Sequence, residues 1–101
     1  MDEKNKATSP EKKAALEAIR AQFTAQDSQT QKARLLAALL LFPVSTFECM
    51  RYLDIYDPRP RVHELRHRDG YNIITQRITV ETEAGLKHCI GLYVMLSGVP
   101  K

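Results

Sequence analysis

The connection between two short helices in the middle of the chain limits the fold more than any other feature. Residues Ser45–Glu48 have the capping-box pattern that opens a helix, which we expect to run to about Leu53. A second helix is predicted from Pro58, so only the four residues Asp54–Asp57 join the two. Two short helices with so tight a connection cannot lie parallel. The sequence therefore predicts a helix-turn-helix corner, with Ile55 filling the turn.

The second of these helices is predicted over residues 58–69. Asp57 is a favourable N-cap, and Pro58 suits the first helical position because its missing N–H is not needed there. Gly70 is placed to end the helix in a left-handed conformation. These start and stop signals predict one short helix.

This predicted helix is strongly basic, and we name it the basic helix. Val62 and Leu65 give it one narrow apolar stripe that faces inward. Between Arg59 and Arg68 it carries four Arg, two His and one Glu, a charge of +3 that equals the formal charge of the whole chain. Such an uneven distribution predicts an anionic partner.

Two further helices are predicted before the corner. The first, residues 9–23, is capped by Ser9, and its thin apolar stripe fits packing on the domain, pairing with a second chain, or fraying in solution. The stripe consists of Leu16, Ile19 and Phe23.

The second of these helices is predicted over residues 28–42. It begins with a capping-box pattern at Ser28, with Thr30 a rival cap, and is stopped by Pro43. It is the core helix, with Leu35, Leu36, Leu39, Leu40 and Phe42 on its apolar face. The short helix of the corner is expected to bury Phe47, Met50 and Leu53.

After Gly70 the apolar period changes from helical to alternating. Three apolar residues alternate with polar ones over residues 74–80, which predicts a half-buried strand. A turn follows over residues 81–86, and a second alternation begins at His88. The predicted inward residues are Ile74, Ile78 and Val80 on the first strand and Ile90, Leu92 and Val94 on the second. The sequence therefore predicts a β-hairpin directly after the basic helix.

The order of these elements resembles that of a winged helix-turn-helix domain of the small phage and prophage family. The segments that carry the resemblance are Ser45–Ile55, Arg61–Arg66 and Gly70–Ile73, within a stretch from Thr30 to Tyr93. The resemblance implies an α+β, mostly helical fold, with a three-helix core, a β-hairpin wing and an extra N-terminal helix. It implies that the short helix positions the domain on DNA and that the basic helix recognises the DNA.

In a DNA complex the basic helix would enter the major groove, which is wide enough for a helix. Arg59, His63 and His67 are then expected at base edges, whereas Arg51, Arg66, Arg68 and Arg77 are better placed for phosphates. Arg61 is ambiguous, because it lies three residues before Glu64 and can pair with it. The wing tip carries Glu81 and Glu83, which puts a wing contact with DNA in doubt.

Two other classes of function remain open. The segment His63–His67 matches H-E-x-x-H, the helical zinc motif of metalloproteases, but the longer form of that motif fails because Ile73 stands where a third His is needed. A third ligand would have to be His88 or a carboxylate such as Asp69, Glu81 or Glu83. The other alternative is a winged-helix module that binds a protein and not DNA.

We expect a DNA-binding transcriptional regulator that is not an enzyme and has no metal or cofactor. The predicted divisions are residues 1–27 as polar tail and N-terminal helix, 28–96 as the domain, and 97–101 as a tail. The expected partners are double-stranded DNA and a second copy paired through the N-terminal helix, with no membrane and no small-molecule substrate. We also predict a cytoplasmic location from the sequence. Its two cysteines do not have the spacing of a zinc site, and we see neither a signal peptide nor an apolar run long enough to cross a membrane.

Overall fold

The computed structural model describes residues 8–81 and 84–98. Its elements confirm the predicted α+β, mostly helical, winged helix-turn-helix order with an extra N-terminal helix. In chain order they are α1 (Pro10–Gln22), α2 (Ser28–Leu39), β1 (Val44–Ser45), α3 (Thr46–Tyr52), α4 (Arg59–His63), a π-helical segment (Glu64–Arg68), β2 (Ile73–Glu81) and β3 (Lys87–Met95). Helix α4 and the π-helical segment together form the basic helix, which therefore spans residues 59–68. In the described parts of the chain, no helix is both long and apolar enough to cross a membrane.

Of the four predicted helix caps, those at Ser9 and Ser45 are confirmed, whereas those of α2 and of the basic helix are wrong. The hydroxyl of Ser9 accepts from the Lys12 amide at 3.2 Å, and the Ser45–Glu48 capping box closes with both hydrogen bonds at 3.0 Å. Helix α2, in contrast, is capped by Asp27 and not by Ser28 or Thr30. The Asp27 carboxylate accepts from the amide of Thr30 at 3.1 Å and from its hydroxyl at 2.7 Å. The Asp27 carboxylate satisfies a free amide at the helix start as a Ser hydroxyl would. Its negative charge is also stabilised by the positive end of the helix dipole.

The core joins α1 to the rest of the fold. Leu16 and Ile19 are 0% and 7% exposed and belong to the same cluster as Leu35, Leu39 and the apolar residues of the corner. Of the three alternatives for this stripe, packing on the domain is therefore the one observed. The surface expected to pair with a second chain is buried within this chain. The proposed division of the chain at residue 27 stays a prediction.

A buried carboxylate strengthens the contact between α1 and α3. Glu48 is 7% exposed and completes the capping box of α3. Its second oxygen accepts from the Thr8 hydroxyl at 2.6 Å, and Lys12 lies 3.0 Å from its first oxygen. A buried charge is tolerated when it is paired and hydrogen-bonded, which these three partners achieve.

The short helix α3 faces the core with a different side from the one predicted. Leu53 is fully buried as expected, but Phe47 and Met50 are 41% and 42% exposed. Glu48 and Cys49 are buried in their place. Leu40, predicted on the apolar face of α2, is likewise 52% exposed because α2 ends at Leu39. A helix of two turns offers apolar residues on more than one side, so its neighbours decide which side is covered.

The hairpin is part of a three-stranded antiparallel sheet with the order β1-β3-β2. Strand β1 was not predicted, because a two-residue strand has no detectable period. It pairs Val44 with Tyr93, and β2 pairs Ile73 with Met95. Ile73 and Tyr93 are buried, whereas Ile74 is 37% exposed. The predicted half-buried alternation holds at Ile78 and Val80, which are partly buried between exposed residues, but it is wrong at Ile74, where the neighbouring Ile73 is the buried residue. On the second strand Ile90, Leu92 and Val94 are partly buried, and Tyr93 on the other face is the buried residue.

The turn of the corner is fastened by a buried arginine that sequence reasoning missed. Asp54 has a φ of 57°, which is a left-handed conformation, and Ile55 is fully buried, as expected for the residue that fills the turn. Arg34, 0% exposed, donates from Nη2 to the carbonyl oxygen of Asp54 at 3.3 Å. It also donates to the carbonyl oxygens of Phe23 and Ala25 in the loop before α2. One guanidinium thus joins the α1–α2 loop to the helix-turn-helix corner.

Candidate nucleic-acid interface

The basic helix has one buried and one exposed side, as predicted. Val62 and Leu65 are 3% and 0% exposed and belong to the core. The exposed residues of the opposite side are Arg59, Pro60, His63, His67 and Arg68. The helix is therefore held by its apolar stripe while a row of cationic and imidazole side chains faces outward.

The start of the basic helix differs by one residue from the prediction. Pro58 occupies the N-cap position, and Asp57 acts from outside the helix. The Asp57 carboxylate accepts from the Arg59 amide at 3.2 Å and from its Nε and Nη2 at 2.9 and 3.0 Å. These hydrogen bonds from Arg59 lower the pKa of Asp57. Arg59 is thus exposed but already paired, and contact with a base edge would compete with Asp57.

Arg61 and Glu64 form the internal ion pair that the sequence left open. Nε and Nη2 of Arg61 donate to the two carboxylate oxygens of Glu64 at 3.0 and 3.1 Å. The side chains are only 15% and 20% exposed. A two-pronged pair of this kind holds the Arg61 guanidinium in place, so it is not presented to solvent.

Arg66 joins the basic helix to the wing, the hairpin of β2 and β3. Its Nε donates to the carbonyl oxygen of Ile73 at 2.8 Å, and its Nη2 donates to the hydroxyl of Thr75 at 3.2 Å. The side chain is half-buried. This geometry gives Arg66 a structural role beside the phosphate contact expected from the sequence, and it fixes the angle between helix and wing.

The two histidines of the basic helix lie against each other on its exposed side. The ring centroids of His63 and His67 are 4.5 Å apart, with the ring planes tilted by 47°. The backbone widens at this point, because the segment from Glu64 to Arg68 is π-helical, and the Asp69 amide donates to the Glu64 carbonyl oxygen at 3.0 Å. Single π-helical turns occur often at functional sites.

The end of the helix follows the predicted pattern. Gly70 has a φ of 80°, and the amide of Tyr71 returns to the Leu65 carbonyl oxygen at 2.9 Å. Asp69 is paired with Lys32 of α2 at 3.0 Å. The Arg68 side chain makes no hydrogen bond or ion pair with any residue in the ranges 8–81 and 84–98. Its charge is therefore the least committed of the four arginines in this helix.

The two remaining predicted contact residues lie on other elements. Arg51 is on α3, with its guanidinium 6.0 Å from the ring centroids of both Phe47 and Tyr52. It lines a groove of about 530 Å³ between α1 and α3. Arg77 is on the wing and donates from Nε to the Cys89 sulfur at 3.4 Å. Within the described ranges, neither guanidinium forms a hydrogen bond or ion pair with the basic helix. Glu83 at the wing tip lies outside the described residues, whereas Glu81 is exposed at the end of β2.

Among residues 8–81 and 84–98, the geometry supplies no third ligand for a zinc hydrolase. In the part of the chain that the structure describes, no group of three or more His, Cys, Asp or Glu side chains is placed to hold a metal ion. Glu64, which would have to act as the general base of such a hydrolase, has both carboxylate oxygens bonded to Arg61. Cys49 is fully buried, and its burial raises the pKa of the thiol to about 12.

Comparison with known families identifies the part of the chain that contains this surface. The family model described as winged helix-turn-helix domain matches residues 30–98, which is more than half of the chain. The match begins within α2 and extends beyond β3, so it includes the corner, the basic helix and the wing. No curated protein and no solved structure matches the chain.

Proposed function

Because the chain belongs to the family of winged helix-turn-helix domains, we propose that it is a DNA-binding transcriptional regulator of phage or prophage type. The basic helix is the element that enters the major groove. No catalytic role is needed for this function, and it fits the cytoplasmic location expected from the sequence.

The observation that carries the proposal is the exposed row on the basic helix. Arg59, His63, His67 and Arg68 are exposed on the side opposite the buried residues Val62 and Leu65. Ten helical residues extend roughly 15 Å, which suits insertion into a major groove about 12 Å wide. The buried apolar stripe and the hydrogen bonds from Arg66 to the wing hold this row in a fixed position relative to the rest of the domain.

The ion pairs of the helix suggest how its cations divide their roles. Arg68 is free to meet a phosphate, which would add to affinity for any sequence. His63 and His67 project from the middle of the helix and are proposed to contact base edges. Arg59 could bind a guanine only by giving up its hydrogen bonds to Asp57. Its contribution to binding should therefore depend on whether the DNA site presents a guanine at that position. Arg51 and Arg77 are proposed as phosphate contacts at the flanks.

A salt series on random-sequence duplex DNA tests the proposal. We expect affinity to fall steeply with salt, because each phosphate neutralised contributes a slope of about 0.9 in the double-logarithmic plot. Arg68→Ala should lower that slope by about 1 and weaken binding to all sequences alike. Arg20→Ala, on the exposed surface of α1, serves as the matched control and should leave the slope unchanged.

The same titration on a selected high-affinity sequence separates base contacts from phosphate contacts. Arg59→Ala is expected to lose specific binding while keeping most affinity for random DNA. If neither Arg59→Ala nor Arg68→Ala changes binding, the basic helix is not the DNA-binding element.

A protein-binding function is the second candidate, and the groove between α1 and α3 favours it. The groove is lined by Phe47, Met50 and Tyr52 together with Lys13, Glu17 and Arg51. Aromatic residues, Met and Arg are enriched where proteins bind one another. Absence of DNA binding even at low salt would support this candidate over the DNA-binding one.

A homodimer remains part of the proposal, because a reader of two-fold symmetric sites doubles its contacts by pairing. With Leu16 and Ile19 in the core, such a dimer would have to form through a surface other than the apolar stripe of α1. Sedimentation of the chain with and without a two-fold symmetric duplex would measure it, and a monomer bound alone to such a duplex would count against it.

A further inference from the structure

We propose that His63 and His67 form a binding site for a divalent transition-metal ion of the zinc group, and that the bound ion weakens DNA binding. The site follows from the geometry of the two rings. The effect on DNA also rests on the proposed function of the basic helix. The motif that suggested a hydrolase is thereby given a regulatory role.

The positions of the two rings suit a shared ion. In an ordinary α-helix the fourth residue along is rotated about 40° past the first, so two such side chains lie on one face but diverge. The π-helical segment that begins at Glu64 reduces this rotation. The ring centroids are accordingly 4.5 Å apart, on the exposed side of the helix. Small rotations of two exposed side chains bring one nitrogen of each within the roughly 2.0–2.1 Å that Zn²⁺ requires.

The local charges oppose a cation less than the sequence suggests. Four arginines lie within four residues of the pair, but Arg59 is neutralised by Asp57 and Arg61 by Glu64. The guanidinium of Arg66 is directed toward Ile73 and Thr75 of the wing. Arg68 alone of the four has no partner among the described residues. Two of the four arginine charges are therefore compensated by carboxylates, and a third is directed toward the wing, so the face around the two imidazoles repels a cation less than the number of arginines suggests.

The ligand chemistry of two imidazoles selects the class of ion. Nitrogen ligands of this kind suit Zn²⁺, Cu²⁺ and Ni²⁺, whereas Mg²⁺ and Ca²⁺ prefer oxygen. Because the described residues supply no third ligand, water occupies the remaining positions. A site with two protein ligands at the surface exchanges its ion readily, as a regulatory site must.

The bound ion would weaken DNA binding because of where it lies on the basic helix. Both rings belong to the exposed row proposed to face the bases, and a hydrated ion held between them stands where the helix must approach the groove. Coordination also removes one nitrogen of each ring from hydrogen bonding with a base. Zinc and DNA should therefore compete, and by linkage each lowers the affinity for the other by the same factor.

Titration of the full chain with Zn²⁺ alone, followed by calorimetry and by the NMR signals of the histidine rings, tests the site. All proteins would carry Cys89→Ser, so that the exposed thiol does not bind the metal. We expect one equivalent of Zn²⁺, with the signals of two rings shifting together. His67→Gln and His63→Gln should each lower the affinity at least about tenfold, since either leaves a single ligand. His88→Gln on the exposed face of β3 is the matched control and should change nothing.

Thermal unfolding without metal checks that the variants keep the fold, as expected for exposed positions. Zinc binding that survives both His67→Gln and His63→Gln, or that His88→Gln abolishes, overturns the site. Absence of zinc binding to the parent chain does so as well.

DNA titrations with Zn²⁺ and with a chelator test the coupling. We expect Zn²⁺ to lower the affinity of the parent chain for DNA about tenfold, a typical allosteric factor, and to leave His67→Gln unaffected. Zinc that binds through the pair without changing DNA affinity overturns the regulatory inference. If the chain binds no DNA in chelator but still binds zinc through both histidines, the proposed function fails while the metal site stands.

Discussion

Nε of Arg66 donates a hydrogen bond to the carbonyl oxygen of Ile73 at 2.8 Å, which joins the basic helix to the first strand of the wing. The guanidinium also reaches the Thr75 hydroxyl on the same strand. The angle between helix and wing therefore depends on a side chain that the sequence presents as one more surface cation.

Replacing Arg66 should lower stability whether or not the charge is kept. We expect Arg66→Ala to lower the free energy of unfolding by about 1–2 kcal/mol, because a charged hydrogen bond to a half-buried carbonyl is lost. Arg66→Lys should lose most of the same amount, since an ammonium lacks the planar fork. Urea denaturation measures both, with Arg68→Ala as the control expected to stay within about 0.5 kcal/mol. Full stability of Arg66→Lys would show that charge alone is needed.

Arg34 should be among the costliest single positions in the chain. Arg34→Met keeps much of the side-chain volume but leaves the carbonyl oxygens of Phe23 and Ala25 without their donor. We expect a loss of about 2–4 kcal/mol, since unsatisfied buried polar groups are expensive. Arg20→Met, an exposed arginine of α1, is the matched control and should be nearly neutral. Equal unfolding midpoints of the two variants would mean that the Arg34 network contributes little.

Asp54 allows a direct test of backbone strain in the corner. Its φ of 57° is unfavourable for alanine because of the β-carbon, whereas glycine adopts it freely. We expect Asp54→Ala to be less stable than Asp54→Gly by about 1 kcal/mol, and Asp54→Asn to lie close to the parent. Both Ala and Gly lose the 2.6 Å hydrogen bond from Gln26, so that loss cancels in the comparison. If alanine were the more stable, the left-handed turn would have to be absent in solution.

The two thiols should differ sharply in reactivity. Burial raises the pKa of Cys49 to about 12, so at pH 8 only about one thiol in ten thousand would be ionised, even if reagent could reach it. Cys89 is exposed. We expect a thiol reagent at pH 8 to modify one cysteine rapidly in the native chain and two in denaturant. Cys89→Ser should abolish the rapid phase, and rapid modification of that variant would place Cys49 at the surface.

Local patterns predicted the local parts of this fold. The capping box at Ser45, the left-handed Gly70, and the stripe of Val62 and Leu65 are each confirmed. Each depends on residues within a few positions of one another, so chain spacing alone suffices. The order of helices, corner and hairpin follows from the same signals.

Errors arose where burial depends on a distant neighbour. Phe47 and Met50 form an apolar pair on α3, yet Cys49 and Glu48 face the core, because α1 and β3 cover that side. Ile73 rather than Ile74 faces inward, because the side of the sheet that carries Ile73 and Tyr93 packs into the same core as the helices, which alternation along the chain cannot show.

For the candidate site, the composition of the basic helix and its exposed side could be derived from sequence, because both follow from helical spacing. Which arginines are free could not be derived. More than one charged neighbour was available along the chain, so spacing did not predict that Arg59 pairs with Asp57 and Arg61 with Glu64. The hydrogen bond from Arg66 to Ile73 forms only because the hairpin folds back on the helix. Spacing along the chain therefore gives the residues that can form a contact, and long-range packing selects the contacts that are made.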